Sequence, residues 1–218
     1  MPPSIEAYKQ AFAATWTDDS PVERVRFVVL DCETTGFSPV LDRILTIGAV
    51  VVHGGEIWLD DSFDAMVRVT GDVGPVAVHG VTPEQSLRGD DQDETLQRFL
   101  AYLRDGVIVG HHIGHDVSML DAGLERMGSD VRLLNRTLDT ADITLHLAQD
   151  GAFADHALPA HLSLDTLADL FGVIPHDRHT ASGDAFITAL VFLRLLKLAS
   201  RYGRTSLSSI CQEFVLPE

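Results

Sequence analysis

Residues 27–36 have the sequence Phe-Val-Val-Leu-Asp-Cys-Glu-Thr-Thr-Gly. The four apolar residues at its start predict a short strand that is buried on both faces of a sheet. Alternate residues of a strand point to the same face, so Asp31 and Glu33 share a face while Cys32 points to the other side. The stretch therefore predicts two carboxylates that converge at the end of a central strand. The spacing alone is equally consistent with a solvated acidic pair at a turn.

Two more strand patterns follow this stretch. Residues 44–52 and 58–69 are joined by His53-Gly54-Gly55-Glu56, in which the paired glycines favour a tight turn. Together with the first strand, they predict a three-strand antiparallel meander.

Helical and strand patterns alternate in the remainder of the chain. Apolar spacing predicts helices and short strands in the order helix 93–103, strand 107–109, helix 117–127, strand end 138–140, helix 164–171 and helix 180–201. Ser163 is a suitable N-cap for the helix at 164, and Gly172 is placed to end that helix. The complete order, β-β-β-α-β-α-β-α-α, predicts an α/β fold with a mixed sheet flanked by helices.

Length and charge limit the classes of function that fit the chain. Its 218 residues predict one domain, over residues 25–203, with an N-terminal arm at 1–24 and a C-terminal tail at 204–218. Sixteen basic and 32 acidic residues give a net charge of −16. A protein with this charge has no general basic face for nucleic acid, so binding of nucleic acid would need divalent cations or a small local basic patch.

Cysteine content and hydropathy predict the compartment. The two cysteines, Cys32 and Cys211, cannot form a disulfide framework, which favours a reducing environment. We find no signal peptide at the N-terminus and no apolar run that is long enough to span a membrane. We expect a soluble, cytoplasmic protein that does not interact with membranes.

A second acidic motif follows the strand predicted at 107–109. Residues 110–116 read Gly-His-His-Ile-Gly-His-Asp, and Asp116 lies at or near the start of a helix. The helix dipole favours a carboxylate at that position, so Asp116 alone is also explained as an ordinary first-turn acid.

A third motif lies at the start of the longest predicted helix. Residues 178–185 read Arg-His-Thr-Ala-Ser-Gly-Asp-Ala, with His179 and Asp184 five residues apart. Helical spacing places Ala181, Ile187 and Thr188 around Asp184, which predicts a partly apolar wall beside this carboxylate. An ordinary acid near a helix start is the alternative for this motif taken alone.

Together, the three motifs resemble those of the DEDDh family of 3′-to-5′ exonucleases. This family includes the proofreading subunit of bacterial replicative DNA polymerase, RNase T and oligoribonuclease. Asp31 and Glu33 resemble the family's first motif, Asp116 its second, and His179 with Asp184 its third, with the His-x4-Asp spacing retained. The resemblance implies an RNase H-like mixed sheet and a metal-dependent exonuclease.

Secondary features agree with this resemblance, which extends over residues 27–196. Residues 78–82 (Val-His-Gly-Val-Thr) are similar to the loop that lies against the terminal nucleotide, residues 139–140 to the family's Asp-Thr, and residues 164–167 to the segment before the last motif. The second motif departs from the family pattern His-Asn-small-x-Phe-Asp. It has His112 and His115 at the Asn and Phe positions and Ile113 at the small one.

The resemblance also implies a mechanism. Two divalent cations, Mg²⁺ or Mn²⁺, are expected at Asp31, Glu33, Asp116 and Asp184, because hard cations prefer oxygen ligands. Asp31 is expected to bridge both ions. His179 is expected to be the general base, a role suited to a side chain that is largely neutral at pH 7.

Substrate contacts are expected from Thr34, Thr35, Gly36 and His79. The substrate is expected to be the 3′ end of a single-stranded nucleic acid, and no motif decides between DNA and RNA. Nor does the sequence decide whether the protein forms a homodimer or binds a polymerase-type partner.

Two other functions remain open at this stage. His111, His115 and Asp116 include the His-Asp dipeptide of HD-type metal phosphohydrolases, with the two histidines four residues apart as in helical zinc sites. The third hypothesis is an exonuclease-like fold retained as a catalytically silent binding module.

Overall fold

A computed structural model describes residues 3–12, 16–154 and 158–210. The strands in chain order are β1 (Phe27–Thr34), β2 (Ile44–His53), β3 (Glu56–Met66), β4 (Val107–Gly110) and β5 (Thr137–Asp139). They form one sheet in the spatial order β3-β2-β1-β4-β5. β1 is antiparallel to β2 and parallel to β4, and β2 is antiparallel to β3. The predicted α/β fold, with a three-strand meander in an RNase H-like mixed sheet, is confirmed.

Helices surround this sheet. In chain order they are α1 (Pro3–Ala11), α2 (Val76–His79), α3 (Pro83–Ser86), α4 (Gln92–Leu103), α5 (Gly114–Arg126), α6 (Thr140–Gln149), α7 (Leu164–Leu170), α8 (Ala181–Arg201) and α9 (Leu207–Ile210). Within the described ranges, no helix is long and apolar enough to cross a membrane.

The alternation of β1 divides the core into two layers. Val28 and Leu30 pack into the cluster formed with α1, α4 and α5, whereas Phe27 and Val29 pack into the cluster formed with α6, α7 and α8. Cys32 continues the first series and is buried in the same cluster as Val28. By the same alternation, the side chains of Asp31 and Glu33 face the α8 side of the sheet.

Most of the predicted elements are present, with shifted ends. The strand predicted at 58–69 begins two residues earlier and ends at Met66, after which Val67 makes only an isolated bridge to Asp90. Ser163 caps α7 by accepting a hydrogen bond from the Thr166 N–H, as predicted. Gly172, at φ +63°, follows the end of this helix, also as predicted.

Of the helices that the predicted order lacks, α6 and α1 are the longest. α6 begins immediately after the short strand β5, where the Asp139 side chain caps it by accepting from the Ala141 N–H. α1 packs on the domain, with Ile5 and Tyr8 almost fully buried. The Tyr8 hydroxyl donates to Asn135 Oδ1 at 2.5 Å and accepts from the Leu134 N–H at 2.7 Å. Part of the predicted arm, residues 1–2 and 13–15, and most of the predicted tail, residues 211–218, lie outside the described residues.

Candidate active site

Three of the four predicted carboxylates converge at the end of β1. Ligating oxygen atoms of Asp31, Glu33 and Asp184 all lie within 4.8 Å of one another. The first two residues share a face of β1, and the third lies in the first turn of α8, which covers that face. Among the described residues, this is the only group of three or more His, Cys, Asp or Glu side chains with metal-ligand spacing.

Gly48 permits the close approach that forms this cluster. It is the direct cross-strand partner of Asp31 in β2. A Cβ atom on Gly48 would lie 2.2 Å from the backbone nitrogen of Ser182 and 2.3 Å from the carbonyl carbon of Ala181. Because only glycine leaves room there, the first turn of α8 can rest on β2 and bring Asp184 beside Asp31.

The surroundings of Asp184 agree with the sequence prediction. Its carboxylate is 93% buried, and Ala181, Ile187 and Thr188 around it are also buried. Its Oδ1 atom is buried and has no hydrogen-bond partner within residues 3–12, 16–154 and 158–210. An unpaired buried carboxylate oxygen is costly, so this atom is available for a ligand.

Asp116 lies beside this group and is hydrogen-bonded to the backbone of β1. It is in the first turn of α5, and its Oδ1 accepts a hydrogen bond from the Cys32 N–H at 2.9 Å. The apolar face of α5, with Met119 and Leu120, packs into the core layer that also contains Cys32. This packing places Asp116 against the backbone between Asp31 and Glu33, and among the neighbouring charges Asp116 has the largest effect in raising the pKa of Asp31.

The site concentrates negative charge in a partly dry environment. Burial, followed by Asp116, Asp184 and Glu33, raises the pKa of Asp31 well above its usual value. Burial and the neighbouring Asp184 raise the pKa of Glu33 to about 7. Burial also raises the pKa of Asp116 to about 7, although the Cys32 N–H opposes this change. Such a cluster favours protons or cations between its oxygen atoms.

Arg178 is a cation at this cluster to which the sequence analysis assigned no role. Its Nε and Nη2 atoms donate to both carboxylate oxygens of Asp165, at 2.6 and 3.0 Å, and its Nη1 atom donates to Asp184 Oδ2. The positive charge of Arg178 lowers the pKa of Asp31 and of Glu33, against the larger effect of burial. In the sequence, only its position next to His179 indicated that Arg178 could lie at the site. Its contact with Asp165 spans 13 residues and depends on the tertiary fold.

His179 lies at the solvent edge of the site. Its backbone has φ +64°, and its N–H donates to Asp184 Oδ2 at 3.3 Å. The side chain is exposed, and its ring forms no hydrogen bond with the described part of the chain. The imidazole is therefore accessible to a solvent molecule, while its backbone is held against the carboxylate cluster.

The predicted substrate-binding residues Thr34, Thr35 and Gly36 form a tight turn after β1. Thr35 Oγ1 donates to Asp42 Oδ1 at 2.9 Å, and Thr34 Oγ1 donates to the Gly36 carbonyl at 2.8 Å. A Cβ atom on Gly36 would lie 2.6 Å from Asp42 Oδ2, so the turn closes tightly around that aspartate. Both threonine hydroxyls are thus donors within the turn, and the predicted contact of these residues with substrate stays a prediction.

Next to this turn, Phe37 presents an exposed aromatic surface that the sequence analysis did not single out. Its side chain is 88% exposed, and its ring centroid lies 5.6 Å from that of His115. A single exposed hydrophobic side chain is ordinary, so it is the position of this ring beside the site that makes it a candidate for contact. Its position directly after Gly36 was the signal in the sequence.

His79 lies on the other side of the site. It is 97% buried, and its Nδ1 atom accepts from the Val81 N–H at 3.1 Å. Its Nε2 atom is buried and has no partner in the described ranges. His79 lines a groove of about 610 Å³ together with residues at the start of α8, including Ser182 and Phe186.

The altered second motif is accommodated by the backbone. His112 has φ +55°, a left-handed conformation that histidine and asparagine both tolerate better than most residues. Ile113 is 96% buried, and its side chain occupies the space that a Cβ on Gly110 would need. The Ile113 N–H donates to Asp139 Oδ2 at 3.1 Å, which ties the start of α5 to β5. Packing around Asp116 is therefore intact despite these substitutions.

The HD-type arrangement is not formed by the described residues. His111 Nδ1 is hydrogen-bonded to Thr140 Oγ1 at 2.9 Å, and burial lowers the pKa of His111 to about 4. Neither His111 nor His115 belongs to a group with metal-ligand spacing in that part of the chain. Asp139 thus binds the Ile113 backbone of the second motif, and Thr140 binds the His111 side chain.

The donor set fits a hard divalent cation. The clustered ligand atoms are all carboxylate oxygens, and the buried Oδ1 of Asp184 has no other partner among the residues described. Oxygen ligands of this type suit Mg²⁺ and Mn²⁺ better than softer metals.

Comparison with known proteins assigns the chain to a family. Residues 28–192 match the family model of the RNase T exonucleases. The chain therefore belongs to the exonuclease family that its three motifs indicated.

Named relatives include replication proteins. The chain is 32% identical over 197 residues to the DNA polymerase III PolC-type of Thermotoga maritima. The alignment covers 89% of this chain and 14% of that protein. It is 32% identical over 200 residues to a DNA polymerase III subunit epsilon-like protein of Rhodobacter capsulatus. That alignment covers 89% of this chain and 27% of the relative. The chain thus spans only a small part of these curated relatives.

Solved structures share the fold. Exonuclease I of E. coli in complex with a dT13 oligonucleotide superposes with a TM-score of 0.67 at 17% identity, over 82% of this chain and 42% of the other. Cell-death related nuclease 4 superposes with a TM-score of 0.68 at 15% identity, over 84% of this chain and 66% of the other.

Proposed function

We propose that the protein is a metal-dependent 3′-to-5′ exonuclease that releases nucleoside monophosphates from single-stranded DNA. The observation that carries this proposal is the convergence of Asp31, Glu33 and Asp184 within 4.8 Å. Burial limits the access of solvent to this cluster, and its like charges favour the binding of cations.

The four carboxylates provide the metal-binding part of the mechanism. Asp31, Glu33 and Asp184, which share the α8 side of β1, would hold the cations, and Asp116 would contribute from the start of α5. Mg²⁺ or Mn²⁺, two ions in the family's mechanism, supplies Lewis-acid activation of water and stabilisation of the leaving oxygen when bound. The carboxylates of this chain orient that chemistry at the carboxyl end of β1.

His179 is the proposed general base. Its exposed ring can accept a proton from the attacking water, and its backbone N–H bond to Asp184 keeps it next to the cluster. A positioned base of this kind contributes about 100-fold to 10,000-fold in rate.

The substrate end is proposed to lie between two surfaces that flank the carboxylates. One is the turn formed by Thr34, Thr35 and Gly36, with Phe37 beside it. The other is the groove lined by His79, which adjoins the first turn of α8. An exposed aromatic ring can stack on a base of any sequence, which suits an enzyme that removes nucleotides one after another.

Two arguments favour short or single-stranded DNA as the substrate. The net charge of −16 leaves few cations to neutralise phosphates outside the metal site. Relatives are named as DNA polymerase III proteins, and a protein of the same fold was crystallised with dT13. By the same relatives, a polymerase-type partner is the favoured assembly. The cytoplasmic location and the domain bounds 25–203 stay predictions.

A time course on end-labelled oligonucleotides tests this function. Single-stranded DNA and RNA of the same sequence, labelled at the 5′ end, are incubated with Mn²⁺, Mg²⁺ or EDTA. We expect a ladder that shortens from the 3′ end, requires metal and is faster on DNA. Asp31→Ala is the control and is expected to give no ladder.

The other outcomes separate the alternatives. A faster ladder on RNA would reassign the substrate class. Binding of metal and of both oligonucleotides without any ladder would favour the silent binding module.

A further inference from the structure

Arg178 bridges two carboxylates that lie far apart in the sequence. Its guanidinium forms a two-pronged pair with Asp165, in the first turn of α7, with N···O distances of 2.6 and 3.0 Å. The remaining amino group donates to Asp184 Oδ2. This planar fork is a geometry that a guanidinium makes and an ammonium does not.

The two oxygens of Asp184 have different environments. Oδ2 accepts from Arg178 Nη1 and from the His179 N–H. Oδ1 is buried and unpaired within the described residues, although it belongs to the same carboxylate. The hydrogen bonds of the 178–179 segment are therefore confined to one oxygen, and the other remains available to a cation.

The backbone around Arg178 is fixed in an uncommon conformation. Asp177 and His179, on either side of it, have φ values of +53° and +64°. A Cβ atom on Gly183 would lie 2.1 Å from the Asp177 carbonyl oxygen, and Thr180 Oγ1 donates to that oxygen at 2.7 Å. The first turn of α8 thus holds the segment that directs Arg178 towards the site.

Charge balance explains how the Arg178 guanidinium can lie beside the carboxylates without taking the place of a metal ion. Asp165 pairs with Arg178, so the two side chains together add no net charge to the cluster. The pair therefore does not neutralise the charge that Asp31, Glu33 and Asp184 offer to divalent cations. Without Asp165, the guanidinium would place an unbalanced positive charge directly against a metal ligand.

We propose that Asp165 and Arg178 form a positioning clamp, which holds Oδ2 of Asp184 and leaves Oδ1 for a divalent cation. This proposal rests on the proposed metal-dependent function and assigns a role to two residues outside the four carboxylates. Partners that orient metal ligands in this way commonly change metal affinity by about 10-fold to 100-fold.

Calorimetric titration of the metal-free protein with Mn²⁺ tests the clamp. We expect Asp165→Asn to weaken Mn²⁺ binding by about tenfold or more, because Arg178 loses both its anchor and its counter-charge. The double variant Asp165→Asn/Arg178→Gln removes one negative and one positive charge, so its net charge equals that of the wild type. We expect it also to bind Mn²⁺ about tenfold more weakly, since Asp184 is no longer held.

A second ion pair provides a matched control. Asp150 and Arg204 form the same two-pronged pair, with N···O distances of 2.5 and 3.0 Å, at the C-terminal end of α6. Asp150→Asn is expected to bind Mn²⁺ as the wild type does. Arg178→Lys, which keeps the charge and loses the fork, is the further variant if Asp165→Asn does not fold, and it is expected to weaken binding by about tenfold.

Each outcome decides the proposal. Wild-type affinity in the double variant, or affinity within twofold of wild type in Asp165→Asn, would overturn the clamp. No Mn²⁺ binding by the wild-type protein would refute the proposed metal site and the clamp together. Weaker binding in the double variant, with Asp150→Asn unchanged, supports the clamp.

Discussion

Two acidic regions lie within a dozen residues of each other, and their carboxylates are in opposite situations. Asp42 accepts hydrogen bonds from the Ser38 N–H and from Thr35 Oγ1, which lower the pKa of its carboxyl group. Asp31 and Glu33 have no comparable donors in the described chain, and burial raises the pKa of both. In these two regions, the acid with two donors closes a loop, whereas the buried acids without donors favour a bound cation. Asp184 combines both situations, because its Oδ2 has donors and its Oδ1 has none among the described residues.

Replacing Asp31 tests this contrast most strongly. We expect Asp31→Asn to lower the turnover of single-stranded DNA by about 1000-fold, because the loss of a carboxylate that would hold the cations removes several kcal/mol of transition-state stabilisation. Without metal, the same variant is expected to have a higher melting temperature than the wild type, since like-charge repulsion is relieved. Assays with Mn²⁺ and calorimetry in EDTA measure the two effects.

Asp42→Asn is the matched control for that prediction. It weakens two hydrogen bonds of the loop, so we expect it to lower stability by about 1 kcal/mol. A lower melting temperature in both variants in EDTA would contradict the distinction between the two kinds of acid.

Removing the base should have the next largest effect. His179→Ala is expected to lower kcat by about 100-fold while Mn²⁺ affinity stays within about twofold, because the His179 contact to Asp184 is made by the backbone. His179→Asn is the control for conformation, since asparagine adopts positive φ more readily than alanine. Wild-type turnover in both variants would exclude His179 as the base.

A substitution at Gly48 tests the comparison in another way, because it should move Asp184 away from Asp31 and Glu33. In Gly48→Ala, the added methyl group must push the first turn of α8 away from β2, so we expect about 1 to 3 kcal/mol of destabilisation and at least about tenfold lower activity. Gly114→Ala provides the control, because a Cβ there has no neighbour within 4 Å. Chemical denaturation and turnover of both variants measure the effects, and equal values for the two would argue against this positioning role.

Stability as a function of pH should show the smallest effect. Burial raises the pKa values of Glu33 and Asp116 to about 7, so the folded state holds their protons more tightly than the unfolded state. Their stabilising contribution is complete below about pH 4 and is lost as the pH rises through about 7. In EDTA we therefore expect the melting temperature to fall from pH 4 to pH 8, and saturating Mn²⁺ should reduce that fall. A flat profile in EDTA over this range would contradict the raised pKa values.

Local patterns predicted much of the fold. The apolar residues before Asp31 indicated a central buried strand, and the alternation of β1 correctly placed Asp31 and Glu33 on one face with Cys32 on the other. Periodicity also located α4, α5, α7 and α8 to within three residues at each end. These features depend on spacing within one element, which a single sequence contains.

Contacts between elements were harder to predict. The pairing of Asp165 with Arg178 and the caps that Asp139 supplies to α6 and Ile113 depend on elements meeting in space. The position of Asp116 against the Cys32 N–H follows from the packing of α5 and not from its motif. The sequence therefore indicated which acids lie near one another but not how each one is held.

Cys32 offers a chemical measure of how firmly the centre of this sheet is held. Its thiol is buried, and burial followed by the nearby carboxylates of Asp116, Asp31 and Glu33 raises its pKa well above the usual value. The reactive thiolate is therefore scarce, and an alkylating reagent reaches the sulfur only when β1 separates from its neighbours. The rate of labelling at Cys32 thus counts local openings between Asp31 and Glu33, and a bound cation that joins these two residues should slow it.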